Sequence, residues 1–422
     1  MTSSLVLLRG IFILIIFSPT LLLSPLILTQ RGQNTWLDLF TFSCELAGPV
    51  YIKLCQWAST RRDIFPDTVC RKLSKLQRNT SPHSWEHTFN LLQRCYDGRY
   101  EKVFSRLDRE PVGSGCCAQV YRGCVVENGV EVEVAVKVVH PGLRDLLNKD
   151  LAVMKYMSRC ITWIFPSLTW LSLETGVEEF GQLMTGQVDL EKEGDHLEVF
   201  RKHFSKNQRI RFPRPLRHLS NTEILVETWA DGDSIDSYIR SADSSETKIE
   251  LARLGVDMLL QMVFKDNYWH GDLHPGNILV THTSQGPCLN VLDTGISASL
   301  SNVDRKNLVE TFRAIVKGDG SRVGELFLDR SIHECEDKNG FIKELAELVL
   351  HARGQQLTLD RVDVSELLKT LFSILSRFHV RLDASFSSVV LAVLVLEGLG
   401  RSLDPNIDLL TRAIPYLALS KP

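Results

Sequence analysis

Among ten cysteines the chain has no Cys-x-x-Cys pair. That absence removes the usual ligand spacing of a zinc site and leaves no disulfide framework, so a reducing compartment is the expected setting. Neither sign of charge dominates. With 48 lysines and arginines against 51 acids the net charge is −3, which gives no electrostatic footprint for nucleic acid. The cluster Arg71-Lys72-Leu-Ser-Lys75-Leu-Gln-Arg78 reads as a solvated helix face. No internal repeat is visible. What is present is 422 residues at 44% hydrophobic content, enough to bury a sizeable core in one large or two modest domains.

The most informative run is Tyr268-Trp-His270-Gly-Asp272-Leu-His274-Pro-Gly-Asn277-Ile-Leu-Val280, followed by Leu292-Asp293-Thr294-Gly295. Phosphoryl-transfer enzymes of the kinase type use an Asp to orient the attacking hydroxyl and an Asn five positions on to hold Mg²⁺. A second Asp, beyond a short hairpin, holds the metal again. Asp272 fits the catalytic role, and Asn277 and Asp293 fit the metal ligands. Alone, the same string also suits an ordinary loop, so its upstream partners decide.

A triphosphate brings several negative charges into a poorly screened site, and kinases meet them with a Lys on a strand. Val134-Ala-Val-Lys137-Val-Val139 alternates β-branched residues around Lys137 and predicts that strand. A surface strand with a solvated Lys has the same pattern. Upstream, Pro111-Val-Gly113-Ser114-Gly115-Cys-Cys-Ala118 gives a Gly-x-Gly turn before another strand, then a turn at Glu127-Asn-Gly129. This order suits a nucleotide-covering hairpin with Gly113, Ser114 and Gly115 at the phosphates. Cys116 and Cys117 beside it read as buried, inert thiols. An acid must fix the Lys, and the polar helix expected between Glu178 and Phe204 offers Asp189, Glu191, Glu193 and Asp195. Charge alone does not choose among them.

With these residues in view, the chain resembles the UbiB or aarF-domain-containing family of atypical kinases from about Gly48 to Leu417. The most specific likeness is Gly48-Pro-Val-Tyr-Ile-Lys53-Leu-Cys55-Gln56-Trp-Ala-Ser-Thr60-Arg61-Arg-Asp63. It is similar to the family's K-x-G-Q signature and the S-T-R-x-D that follows. Leu396-Glu397-Gly398 through Asp404-Pro405 resembles the family's closing helix and turn.

The resemblance implies an α+β, protein-kinase-like bilobal fold: a small α/β N-lobe, a large helical C-lobe and an N-terminal helical extension, with ATP and Mg²⁺ as cofactors. It implies Glu193 as partner of Lys137, because Asp189-Leu-Glu-Lys-Glu193-Gly sits where the family has D-Y-x-x-E-A. It implies Glu227 at the hinge whose backbone meets the adenine. Lys53 and Gln56 inherit a regulatory role, on an extension that covers the active site and keeps protein substrates out. Support of coenzyme Q biosynthesis and mitochondrial lipid metabolism is implied as well. The partners are then a membrane, a lipid or quinone-related small molecule and coenzyme Q biosynthetic proteins.

Three departures stand out. Cys55 replaces the family Gly in K-x-G-Q and adds a side chain where backbone comes close. Gln187 replaces the Glu of the family's E-x-D, leaving Asp189 to supply a carboxylate for Lys53. Gly113-Ser114-Gly115 replaces an Ala-rich loop and admits closer approach to phosphates.

After Asp293 the chain has no Ala-Pro-Glu, and Asn302 to Val316 already reads as helix. Without that peptide platform, protein substrates are disfavoured. ATP hydrolysis and small-molecule phosphorylation of the aminoglycoside or choline type are rivals, as is a catalytically silent nucleotide-binding scaffold of a membrane enzyme complex.

The expected organisation is an apolar membrane or targeting segment over 1–30, the extension over 35–108, the N-lobe with a helical insertion over 109–227 and the helical C-lobe over 228–422. Leu5 to Leu28 is long enough to enter a bilayer, although Arg9, Pro19 and Pro25 interrupt it. Val389 to Leu396 is too short to span and is expected to be a buried helix. A mitochondrial, membrane-associated location follows from the resemblance; neither a secretory cleavage site nor an Arg-rich transit peptide is visible.

Overall fold

The computed structural model describes residues 3–60, 65, 67–73, 82–166, 172–241, 245–331, 335–354, 364–380, 389, 400–404, 407 and 409–419. The chain divides into two compact units, residues 1–195 with 215–229, and residues 196–214 with 230–422.

Among the described residues the first unit opens with the α-helices α1 (Ser3–Leu22), α2 (Gln30–Ala47), α3 (Pro49–Thr60), α4 (Asp67–Leu73), α5 (Trp85–Cys95) and α6 (Tyr100–Val103). The strands β1 (Phe104–Leu107), β2 (Gly113–Ser114), β3 (Ala118–Glu127) and β4 (Val130–Val139) follow, then α7 (Leu143–Ile164), α8 (Leu173–Gln187) and α9 (Leu190–His203). The chain makes β5 (Ile210–Arg211) in the second unit before β6 (Ile224–Thr228) completes the first sheet, in the order β1-β3-β4-β6 with β2 on β3.

Asn128 and Gly129 both take positive φ, +52° and +81°. This is the two-residue turn whose twist matches antiparallel strands, and it sets the β3–β4 register from Glu127↔Val130 to Ala118↔Val139. Val134, Val136 and Val138 then share one face and close a core with Tyr121, Ile224, Val226 and Leu91 and Leu92 of α5. The expected boundary at residue 109 falls late. β1 is already paired with β3 and α5 lies on the sheet's core, yet Phe-Ser-Arg-Leu is too short to show an alternation.

α1 runs unbroken through Arg9 and Pro19, which the sequence presents as interruptions. The Arg9 guanidinium forks onto Asp150 of α7 at 2.6 and 2.9 Å and donates to the Ala47 carbonyl at 2.6 Å. The Thr20 and Ser43 hydroxyls meet at 3.1 Å, tying α1 to α2.

The second unit continues with β7 (Asp233–Ser234), α10 (Ile235–Arg240), α11 (Ser245–Leu260), β8 (Trp269–His270), β9 (Ile278–Thr283), β10 (Gly286–Val291) and β11 (Ser297–Ala298). Then come α12 (Asn302–Lys317), α13 (Gly320–Leu328), α14 (Lys338–Gly354), α15 (Val364–Arg377) and α16 (Leu409–Leu419). It is less purely helical than the apolar spacing suggests. β5, β10, β9 and β7 form a four-stranded sheet, and β8 pairs with β11. A Cβ at Gly320 would lie 2.5 Å from the Ala346 Cα, so this glycine lets α13 and α14 touch backbone to backbone. Arg412 of α16 grips Asp257 of α11 at 3.1 and 2.6 Å. Arg61 to Asp63, 74–78, 390–399 and Pro405 lie outside the described residues, and with them parts of the S-T-R-x-D match, the basic cluster, the apolar run and the closing turn. Val389 itself is buried.

Candidate active site

Alternation on β4 puts Lys137 on the face opposite Val136 and Val138. There its Nζ lies 2.5 Å from Glu193 Oε1 on α9 and 3.3 Å from Glu227 Oε1 on β6. All three side chains are buried. Two other acids of the α9 region are engaged elsewhere. Asp195 pairs with Arg217, and the Asp189 carboxylate accepts the Glu191 N–H at 3.2 Å. Gly194 leaves the room for this, since a Cβ there would meet Arg217 Nη1 at 2.6 Å. Geometry thus picks Glu193 where charge alone does not.

Glu227 differs from the expectation. Trp229 N–H donates to the Glu133 carbonyl and Val139 N–H to the Glu223 carbonyl, and antiparallel alternation then makes Ala135 and Glu227 a hydrogen-bonded pair. Its backbone is committed to the sheet, so Glu227 contributes a carboxylate on Lys137 and not a hinge amide for adenine. The sequence motif carries no signal for this, because the contact is made across β4 and β6.

Gly113 and Ser114 pair with Val120 and Gln119, and Gly115 N–H closes the turn on the Ala118 carbonyl at 2.9 Å. Neither Gly113 nor Gly115 has positive φ, and a Cβ at Gly113 would meet nothing within 4 Å. The fold therefore does not require a glycine at 113, where the space is open, and a Cβ at Gly115 would make only ordinary contact with the Ala118 carbonyl at 3.6 Å. His140 pins the turn from behind, its Nε2 donating to the Gly115 carbonyl at 2.8 Å. Cys116 and Cys117 are half-buried and not sealed in the core.

In the second unit His270 organises the Asp272 loop. It is 1% exposed; its Nδ1 accepts the Asp272 N–H at 3.0 Å, and its Nε2–H donates to the Asp293 carbonyl. These partners fix one neutral tautomer. Burial holds the His270 pKa below its ordinary value against the pull of Asp293 and Asp272. Asn277 Nδ2 donates to the Asp272 carbonyl at 3.2 Å, which leaves Oδ1 as the atom that could hold a metal. Asp293 is exposed, with Oδ1 accepting the Gly295 N–H at 2.9 Å. His196 Nδ1 donates to the buried Thr294 carbonyl at 2.8 Å and steadies the segment just after Asp293. His196 has no signal in the sequence beyond its place on a polar helix.

One amide and one carboxylate oxygen suit Mg²⁺, which keeps several waters and completes its shell with phosphates. Among the described residues no group of three or more His, Cys, Asp or Glu gathers as a metal cage, and Mg²⁺ needs none.

Lys53 and Gln56 stand one turn apart on α3, both half-buried. Cys55 is 2% exposed and lies beside the buried Cys44 of α2, so the side chain that replaces the family glycine is absorbed into the packing of α2 and α3. Trp57 packs on Phe180 of α8 with ring centroids 5.9 Å apart. Gln187 Oε1, at the end of α8, is buried with no hydrogen-bond partner among the described residues.

Residues 75–327 match the ABC1 atypical kinase-like domain and residues 351–408 the UbiB helical domain. An ABC1 family protein of Saccharomyces cerevisiae, named as mitochondrial, is 32% identical, covering 97% of this chain and 74% of its own. A probable protein kinase UbiB of Vibrio atlanticus is 29% identical over 88% of this chain and 68% of its own. In fold, a Mycobacterium tuberculosis protein solved with erythromycin aligns at TM-score 0.61 over 93% of this chain and 98% of its own, at 17% identity. The domain match takes in Lys137, Glu193, Glu227, Asp272, Asn277 and Asp293 together. On that evidence the chain belongs to the ABC1 atypical kinase-like family, with an α+β, protein-kinase-like fold.

Proposed function

We propose that the chain is a Mg²⁺-ATP-dependent phosphotransferase or ATPase acting on a lipid or quinone-related small molecule at a mitochondrial membrane. The observation that carries the reading is the buried Lys137 held by Glu193 and Glu227. A buried ion pair is a weak source of stability, so three charges kept out of water argue for a task beyond folding. Lys137 would meet the phosphates and the Gly113–Gly115 turn would cover them. Asn277 and Asp293 would hold Mg²⁺, which when bound would neutralise charge on the phosphates. Asp272, positioned through its N–H by His270, would orient the acceptor hydroxyl and take its proton.

Residues 294–301 are all that separate Asp293 from α12, and β11 pairs with β8 within that stretch. So short and pinned a segment offers no docking strand for a peptide, which favours a small acceptor. Lys53 and Gln56 are assigned the regulatory role with Asp189, and coenzyme Q biosynthesis is the setting that the family resemblance supports. Membrane contact falls to α1, long and apolar enough to cross a bilayer by length and composition. The mitochondrial names of fungal relatives point the same way.

The test is ATP turnover by the purified chain with and without lipid vesicles and quinone-like phenols. Turnover that rises with either and is lost in Asp272→Asn supports the reading. Binding of Mg²⁺-ATP with no turnover under any condition would favour the silent scaffold.

A further inference from the structure

His83, just before α5, and His140, just after β4, join the nucleotide turn to the core through one hydrogen-bond chain. Both ends of the chain have a fixed polarity. At one end the Gly115 carbonyl can only accept, so His140 carries its proton on Nε2 and presents a bare Nδ1 to His83 Nδ1 at 2.7 Å. His83 must then donate from Nδ1, and its bare Nε2 accepts from the Thr88 hydroxyl at 2.8 Å. With that proton committed, Thr88 accepts from the Tyr121 hydroxyl at 2.7 Å, and Tyr121 accepts from the Gln119 amide.

The other end gives the same answer independently. The His83 main-chain N–H donates to Gln119 Oε1 at 2.9 Å, and Gln119 Nε2 donates to the His83 carbonyl at 3.2 Å. Those two backbone groups fix the Gln119 amide with its NH₂ toward Tyr121. Every proton in the chain is thereby assigned, and the assignment needs both imidazoles neutral.

We propose that His83 and His140 are positioning residues that hold the Gly113–Gly115 turn in place for the nucleotide and let it go when either ring gains a proton. The proposal rests on the nucleotide-binding role of this turn. A proton on His140 Nδ1 sets two N–H groups against each other across the 2.7 Å contact. A proton on His83 Nε2 opposes the Thr88 hydroxyl, and the fixed amide of Gln119 leaves no rotation that absorbs it. The titratable neighbours are His87, whose ring meets His83 edge-on at 4.8 Å, and Tyr121, with Cys116 and Cys117 in the turn itself. Positive charge on His87 works in the same sense, by disfavouring a second cation. Burial also keeps both rings neutral, His83 down to about 4.

The experiment reads imidazole ¹⁵N shifts, amide exchange of residues 113–118, and Mg²⁺-ATP affinity from pH 8 down to pH 4 in the full chain. His83→Gln keeps one donor and one acceptor without a titrating group, and His83→Leu keeps neither. Expected are Nδ1-protonated His83 and Nε2-protonated His140, with faster turn exchange and about three- to tenfold weaker nucleotide binding in His83→Leu, the loss that one hydrogen bond commands. Wild-type affinity should fall as the pH drops toward about 4, the value to which burial lowers His83. His83→Gln should bind as wild type at pH 8 and lose less as the pH falls. The opposite tautomers, or turn exchange unchanged in folded His83→Leu, overturns the proposal. If wild type binds no Mg²⁺-ATP, the functional reading fails, while tautomers and exchange still decide the chain of hydrogen bonds.

Discussion

Lys137 lies 3.3 Å from Glu227 as well as 2.5 Å from Glu193, so one buried cation faces two carboxylates. Removing the cation alone takes away the buried charge that faces both acids. Lys137→Met is therefore expected to destabilise the protein by about 3–5 kcal/mol, and the triple change with Glu193→Gln and Glu227→Gln to recover most of that loss. Urea midpoints would measure it. Losses that simply add across the three sites would refute a shared ion cluster. The triple variant should still fold and should show no thermal shift with Mg²⁺-ATP.

Asp293→Asn should leave the fold intact, because His270 binds the Asp293 main-chain carbonyl and not its carboxylate. The stabilisation that Mg²⁺-ATP gives the wild type, which grows with ligand concentration over Kd, should be largely lost. A thermal-shift titration identical to wild type would remove Asp293 from the metal site.

Much of this was legible in the sequence wherever one motif fixes one local geometry. The β3–β4 hairpin follows from Asn128-Gly129 and the valine alternation, and the helix after Asp293 from its spacing. Contacts that close over long chain distances left no such trace. Glu227 reaches Lys137 across neighbouring strands, His140 reaches Gly115 through a loop, and Arg9 reaches a helix 141 positions away. Periodicity says which face a residue occupies and not which partner it finds there. The mixed character of the second unit was obscured by strands of two to six residues, too short to alternate visibly.

The Arg9 and Asp150 pair makes a prediction for α1. Asp150 is fully buried, so Arg9→Leu should cost about 3–5 kcal/mol by leaving its carboxylate unpaired, and Arg9→Leu with Asp150→Leu should cost much less. Leu8 and Ile15 are exposed on α1, while the Arg9 guanidinium lies over the Phe12 ring at 5.2 Å. Leu8→Glu with Ile15→Glu should abolish flotation with vesicles while leaving the urea midpoint near wild type. Unchanged flotation would move the membrane contact off α1.

Acid should weaken the fold through the same histidines that hold the nucleotide turn. The His83 pKa is lowered to about 4 and that of His140 is lowered as well, chiefly by burial. The unfolded chain therefore binds more protons below the ordinary histidine value, and linkage makes stability fall with falling pH. The contribution of His83 is fully present above about pH 6.5 and is progressively lost from there toward pH 4. His83→Gln should flatten the dependence in that window when urea midpoints are followed against pH. An equally steep profile in the variant would assign the acid sensitivity to other groups.

Cys55 gives the last prediction, because the structure changes what restoring the family glycine should do. The thiol is buried against Cys44 inside α3, so Cys55→Gly removes packed volume and puts glycine into a helix interior. The helix term is about 0.5 kcal/mol relative to cysteine and the lost side chain about 1–2 kcal/mol more. Cys55→Ala should avoid most of the helix term and so be the milder change. Urea unfolding with an unchanged m value would register both as shifts of the midpoint. A Cys55→Gly protein as stable as wild type would mean that α2 and α3 close over the gap, and that this position serves approach and not packing.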